Sequence, residues 1–342
     1  GPGAHFRTSV HASPLFAGAL LRLIEMIDAA LDHPPRLDVV DVGAGRGELL
    51  TAVAAAARAT GPGAGQPAAH CAPLAGRLRF TAVEVAGRPA ELPADIGWSD
   101  RVPQKMVGLL LATEWLDDVP LDVAQVGADG RAHRVLVDPA TGEESQGRPV
   151  DAADAFWLAR WWPLDGAPPG TRAEIGWPRD VAWADAVAAV ARGCALAVDY
   201  GHVRGERPAL GTLTGYRDGR QVPPVPDGRC DVTAHVAMDA AAAAAATPYT
   251  LIGQRAALRA LGVDGARPPI GLAGSDPAGY VRALADASAA AELTDPAGLG
   301  GHWWLLHGIG ITMSPPFEAA SGAPSTAYAG TWPPRYPNRM RW

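Results

Sequence analysis

Apolar residues recur along this chain at two spacings, and the alternation between them sets the architecture. Residues 14–31, PLFAGALLRLIEMIDAAL, repeat apolar positions at helical spacing and predict an amphipathic helix. RLDVVDVGAGRGELLTAVAAAARA (36–59) then reads as strand, glycine turn and helix. Val39, Val40 and Val42 are β-branched, and the alanines that follow are good helix formers. LRFTAVEV (78–85) predicts a second strand and MVGLLLATEW (106–115) a third. Asp129-Gly130, between two alternating apolar runs, predicts a hairpin over 122–138. WPRDVAWADAVAAVARG (177–193) predicts a helix ended by Gly193, and CALAVDYG (194–201) another strand. The alanine run 240–246 and the stretches 250–262 and 277–293 read as helical, and HWWLLHGIGI (302–311) as a late strand. Residues 61–73 and the Pro-, Gly- and Ser-rich end of the chain read as irregular.

Strands alternating with helices predict an α/β fold with a mostly parallel sheet covered on both faces. Ligands of such sheets bind beyond the carboxyl ends of the strands. That rule gathers Gly43–Gly47, Glu84, Glu114–Asp118 and Asp199–Gly201 on one edge.

Composition narrows the function. With 342 residues and 48% of them hydrophobic, the chain can bury a sizeable core. The net charge is −7 and no Lys/Arg run occurs, so no nucleic-acid surface is expected. Lys105 is the only lysine; with abundant Ala, Gly and Pro, this reads as a GC-rich bacterial coding bias. Cys71, Cys194 and Cys230 are odd in number and far apart, which argues against a disulfide framework and a metal site. The apolar runs are too short to span a membrane and no signal peptide opens the chain. The expectation is a soluble protein of a reducing, cytoplasmic compartment.

Asp41-Val-Gly43-Ala-Gly45-Arg-Gly47 lets the backbone bend sharply and approach a ligand with no Cβ in the way. A dinucleotide fingerprint would need glycine where Glu48 stands, so a dehydrogenase is disfavoured. The turn is either a cofactor loop or a tight connection without a ligand. Glu84 can accept both ribose hydroxyls of a nucleoside, or is a surface glutamate at a strand end. In LLLATEWLDDVPLDV (109–123), Glu114, Asp117 and Asp118 crowd the exit of an apolar strand, as a solvated loop or against a ligand. Asp199 either caps backbone amides or meets substrate. His235 is either a general base or structural. WLARWWPL (157–164) either packs a core or lines a cation–π groove.

In this order the segments resemble the MidA-like proteins, a branch of the S-adenosylmethionine-dependent methyltransferases that includes a mitochondrial complex I assembly factor acting on an arginine. HFRTSVHASPLFAGAL, DVGAGRGEL, LLATEWLDDVPLDV, LAVDYG, GTLTGYR, CDVTAHV and LTDPAGLGGHWWLL carry the resemblance, which covers most of residues 5–312. It implies a Rossmann-like seven-stranded class I methyltransferase sheet over 36–312. It also implies substrate-covering insertions near 122–176 and 202–248, an N-terminal helical segment (1–35) and an irregular tail (313–342). S-adenosyl-L-methionine is the implied cofactor, held by Thr8, Asp41, Gly43, Gly45, Gly47 and Glu84. Glu114 is implied to grip the acceptor with Asp117 assisting and His235 as base, and no metal is involved. The implied acceptor is a protein or peptide arginine. A small metabolite, or a cofactor-binding assembly protein without catalysis, stays open. Thr113 stands where the family has Asn, Asp118 where it has Ala, and YRDGR lacks a histidine common in the family. The first two changes fall where an acceptor would be held.

Overall fold

In the computed structural model, which describes residues 14–59 and 72–317, the chain opens with helix α1 (Pro14–Ala30). It then lays down β1 (Leu37–Val42), α2 (Glu48–Ala59), the short α3 (Leu74–Arg77), β2 (Leu78–Val83), β3 (Ile96–Ser99) and β4 (Met106–Thr113). Next it leaves the main sheet for an antiparallel one of β5 (Asp122–Val126), β6 (Ala132–Val137), β7 (Glu144–Pro149) and β8 (Arg172–Ile175), with α4 (Ala152–Trp161) against it. Helix α5 (Trp177–Ala188) leads back to β9 (Val190–Asp199). A second excursion holds β10 (Gly201–His202), the small sheet of β11 (Thr214–Arg217), β12 (Arg220–Val222) and β13 (Asp231–Thr233), then β14 (Val236–Ala237) and α6 (Met238–Ala244). The chain closes with β15 (Tyr249–Gly253), α7 (Gln254–Ala260), α8 (Gly271–Ser275), α9 (Pro277–Leu293) and β16 (Trp303–Ile309).

The main sheet has seven strands in the order β15-β16-β9-β4-β1-β2-β3, the architecture the resemblance implies. β3, β2, β1, β4 and β9 pair in parallel, and β16 runs antiparallel to both β9 and β15. Its central strands are apolar on both faces because both faces are covered. Val39, Leu109, Leu111, Leu196 and Val198 enter a core with α1, α2 and α7. Val40, Val42, Leu110, Ala112, Ala195 and Ala197 point to the other face, into a core with α5 and α6. This is the two-residue side-chain alternation of a strand.

Several expectations need correction. Helix α5 stops at Ala188, and Gly193 lies inside β9 opposite Gly108 of β4. Its φ is +130°, and a Cβ there would stand 1.9 Å from the Gly108 carbonyl oxygen. Gly193 therefore marks a close approach of two strands, not a helix stop. The 250–262 stretch opens as a strand, and only Gln254–Ala260 is helical. β3 was not anticipated. The 122–138 hairpin forms as expected, pairing Ala124 with Arg134 around Gly130. The alanine run is a packing device: Ala241 and Ala242 join one core, while Ala240 and Ala243 join that of the four-stranded sheet. Trp157, Trp161 and Trp162 are buried in that last core, and the cations stacked on tryptophan are the chain's own, Arg160 on Trp161 and Arg207 on Trp162. Core packing is the reading that holds for WLARWWPL.

The N-terminal helix is tied down by a buried ion pair. Arg77 Nη1 and Nη2 each lie 2.6 Å from an oxygen of Asp28. Burial pushes the Asp28 carboxyl up, but hydrogen bonds from Arg77 and His33 outweigh it and hold its pKa below the usual range. A depressed carboxylate contributes stability that is full above its unfolded value of ~3.9 and is lost as pH falls through the lower folded value. Arg77→Met strands the Asp28 charge and should cost about 3 kcal/mol at pH 7 in urea denaturation. The gap from the unmodified chain should narrow as pH falls below about 4, leaving the part due to the Ala72 and Pro34 carbonyls that Arg77 also bonds; an unchanged gap would show that the pair is not its cause.

Candidate active site

In the main sheet the chain moves from β1 outward to β2 and β3, then returns to the other side of β1 as β4. Ligands of open α/β sheets bind at such a reversal. The turn after β1 and the segment after β4 therefore face one another across the crevice. Gly43, Gly45 and Gly47 all adopt left-handed φ, at 73°, 57° and 82°. A Cβ on Gly43 would come within 2.7 Å of Trp115, and one on Gly47 within 2.5 Å of Leu92. On Gly45 nothing lies closer than Glu48 Oε2 at 3.8 Å, so the backbone there stays open to the crevice.

Acids surround this turn. Glu84 follows β2, and its Oε2 accepts the Gly45 N–H at 3.1 Å while Oε1 accepts from Val85 at 2.8 Å and Ala86 at 3.2 Å. A carboxylate has about four acceptor sites and three are used, so Glu84 keeps one, on Oε2, for a hydroxyl. Asp41 is buried at the end of β1, and burial, reinforced by Glu48 and Glu84, pushes its carboxyl up to about 8. A buried acid raised by its neighbours is relieved by a nearby cation. S-adenosylmethionine carries a sulfonium, an ammonium and two ribose hydroxyls, and this donor set fits the open Gly45, Asp41 and Glu84. Thr8 lies outside the described residues.

Across the crevice, Glu114 has φ +50°, an uncommon conformation for a residue with a side chain, costing about 1–2 kcal/mol. Its N–H donates to the Val198 carbonyl at 2.8 Å, pinning the end of β4 to β9. Asp117 is buried; its Oδ2 accepts from Thr233 Oγ1 at 2.7 Å and from the Tyr200 hydroxyl. Its Oδ1 is buried and has no hydrogen-bond partner among the described residues. Asp199 Oδ2 caps the N–H groups of Leu116 at 3.0 Å and Asp117 at 3.3 Å, so the backbone-capping reading holds for it. Burial, then the charges of Asp117 and Glu114, pushes the Asp199 carboxyl well up. Asp118 is exposed at the rim, where partial desolvation and the charges of Asp117 and Asp231 raise its carboxyl. His235 is exposed too, with its ring 5.2 Å from the Tyr200 ring.

Sequence reasoning did not single out Arg179, Tyr200, Thr233 or His302. The Arg179 guanidinium is buried and donates to four carbonyls: Val119 at 3.0 Å, Ala234 at 2.8 Å, His235 at 3.0 Å, and Asp117. It thereby joins the 117–119 segment to the 234–235 segment. His302 precedes β16, and because that strand is antiparallel its start lies at the crevice, beside the β9 end where Trp303 pairs with Asp199. His302 Nε2 is 3.8 Å from Glu114 Oε1. A histidine opening a late strand was the available signal; the strand's direction was not.

The structure therefore groups Asp41, Gly43, Gly45, Gly47 and Glu84 on one wall and Glu114 and Asp117 on the other, with His235 at the mouth. A family model described as "Putative S-adenosyl-L-methionine-dependent methyltransferase" matches residues 21–253. The chain is also similar to a COG1565 superfamily member from Burkholderia thailandensis whose crystal structure holds S-adenosyl-homocysteine. That similarity is 25% identity with a TM-score of 0.72, over 93% of this chain and 83% of that one. A second, native structure of a COG1565 superfamily protein from the same organism gives 25% identity and a TM-score of 0.70, over 92% and 85% of the two chains. No curated protein matches the chain. The family match covers well over half of the 342 residues and includes both walls of the crevice: the chain belongs to this family of S-adenosylmethionine-dependent methyltransferases.

Proposed function

We propose that the methyl acceptor is a cationic nitrogen, most simply the guanidinium of an arginine in a protein or peptide. One observation carries this reading: the acceptor wall offers hydrogen-bond acceptors and lacks donors for them. Asp117 Oδ1 and His302 Nε2 are both buried without a partner among the described residues, and His302 Nε2 lies 3.8 Å from Glu114 Oε1. Buried polar atoms are almost always paired, so this pattern calls for a donor-rich group. A guanidinium offers five N–H donors in a planar fork and no acceptor. At the rim, desolvation and the charges of Asp117 and Asp231 push the Asp118 carboxyl up to about 8, and an entering cation would relieve that crowding and favour its ionised form.

S-adenosylmethionine supplies a methyl group already activated by its sulfonium. This chain's residues bind, orient and neutralise. Glu84 and the open Gly45 backbone hold the nucleoside side, and Asp41 faces the cationic side. Glu114 grips one acceptor nitrogen and aims its lone pair, with Asp117 Oδ1 on a second nitrogen; positioning is the main contribution here. We place the reaction in a reducing, bacterial cytoplasm, a reading supported by Cys194 and Cys230, both free thiols.

Two outcomes follow. Glu114→Gln keeps the shape and loses the charge, so affinity for S-adenosyl-homocysteine should hold within about threefold while methyl transfer to arginine peptides falls at least 100-fold, about 2.7 kcal/mol. Mass spectrometry of peptide products from isotopically labelled cofactor reads the second quantity. Label appearing on small metabolites and on no arginine peptide would replace the acceptor named here. Glu84→Ala should weaken S-adenosyl-homocysteine binding at least tenfold by calorimetry, about 1.4 kcal/mol; unchanged affinity would remove Glu84 from the cofactor wall.

A further inference from the structure

Four described histidines lie around the acceptor wall or on the strand beside it, and their hydrogen bonds separate them. His202 Nδ1 accepts from the Arg207 guanidinium at 2.6 Å, so its buried, unpartnered Nε2 carries the proton and offers no lone pair. His307 is held at both nitrogens, by Trp183 Nε1 at 3.1 Å and Thr247 Oγ1 at 2.8 Å. His235 is exposed at the mouth, on the outer side of the Tyr200 ring. His302 is different. Its Nδ1 lies 2.7 Å from the Leu299 carbonyl oxygen, which only accepts, so Nδ1 carries the proton and Nε2 is left with the lone pair. That lone pair is buried, has no donor among the described residues, and faces Glu114 Oε1 at 3.8 Å. The Tyr200 ring packs on the imidazole at 5.3 Å between centroids.

A lone pair and a carboxylate held face to face repel one another until a proton comes between them. From this geometry we infer that His302 is the proton sink of the reaction: Glu114 grips the acceptor nitrogen, and the proton that nitrogen releases passes through Glu114 to His302 Nε2. His302 acts through Glu114, so it is a positioning and proton-accepting partner and not a group that touches substrate. This inference rests on the nitrogen acceptor proposed above.

The step balances. The acceptor N–H bond breaks and its electron pair stays on nitrogen. The nitrogen forms its new bond to the methyl carbon as the carbon–sulfur bond breaks, leaving that pair on sulfur. The proton ends on Nε2, so one positive charge moves from sulfonium to imidazolium and then leaves to solvent as a proton. Burial holds the His302 pKa below the usual histidine range, so the base form is present at rest. The other ionisable groups facing it are Glu114, Asp117, Tyr200 and His235.

Histidine-labelled NMR of the full chain tests the couple without an acceptor, with His302→Gln used to assign the signal. The inference expects an unprotonated Nε2 at pH 7.5 and a His302 pKa that falls by about half a unit or more in Glu114→Gln, as a nearby negative charge is removed. A proton on Nε2 at rest, or a titration unmoved by Glu114→Gln, overturns it. With arginine peptides and labelled cofactor, His302→Gln should lower turnover about 100-fold, leave the cofactor KM unchanged, and remove the acid limb of the pH–rate profile. Lowered turnover with the acid limb intact would mark a structural role and overturn it. If the unsubstituted chain methylates no arginine peptide, the acceptor reading fails, and the NMR result still decides on the couple.

Discussion

The crevice wall proposed to receive the methyl acceptor depends on one buried guanidinium. Arg179, on α5, bonds four backbone carbonyls, from Asp117, Val119, Ala234 and His235. Taking an arginine out of water costs several kcal/mol, and only near-complete hydrogen bonding offsets it. That requirement works in both directions: the carbonyls must converge on the guanidinium, so the segments that carry them are fixed relative to each other. Asp199 adds a second tie from the end of β9, capping Leu116 and Asp117. Asp117 is thus held through its backbone N–H, its carbonyl and one carboxylate oxygen, which leaves the other oxygen for a ligand.

The two walls are coupled by a steric contact as well. Trp115 lies where a Cβ on Gly43 would stand, so the glycine turn after β1 and the segment after β4 pack directly on one another. The strained backbone of Glu114 persists between these constraints, fixed by its own N–H on Val198 and by Trp115 beside it. Strain held by the surroundings is a feature of preorganised sites. A site that transfers methyl needs such rigidity, since two reactants must meet in line and the donor is already activated.

Much of this was legible in the sequence because the central strands are short apolar runs between glycine turns and helical stretches. Val39, Val40 and Val42, and Leu109–Ala112, are apolar on both faces, and acids or glycines stand at or just beyond the strand ends, so Gly43, Glu84, Glu114 and Asp117 could be assigned to one edge. What was missed had local reasons. β3 is only four residues, IGWS, with a glycine inside it. β15 runs straight into α7, so its apolar residues merged with the helical pattern. Gly193 has a helix-ending look, but close approach to Gly108 explains it. Arg179 and His302 were invisible because their roles are set by distant segments: one by carbonyls some sixty residues away, the other by the reversed direction of β16.

A crystal structure of the chain with S-adenosyl-homocysteine and an arginine peptide tests the account most directly. The thioether sulfur should face the proposed acceptor wall across the Gly43–Gly47 turn. One guanidinium nitrogen should lie within hydrogen-bond distance of Glu114 and another of Asp117 Oδ1. A cofactor bound away from Glu84 and Gly45, or a peptide arginine that leaves both acidic groups to water, would contradict it.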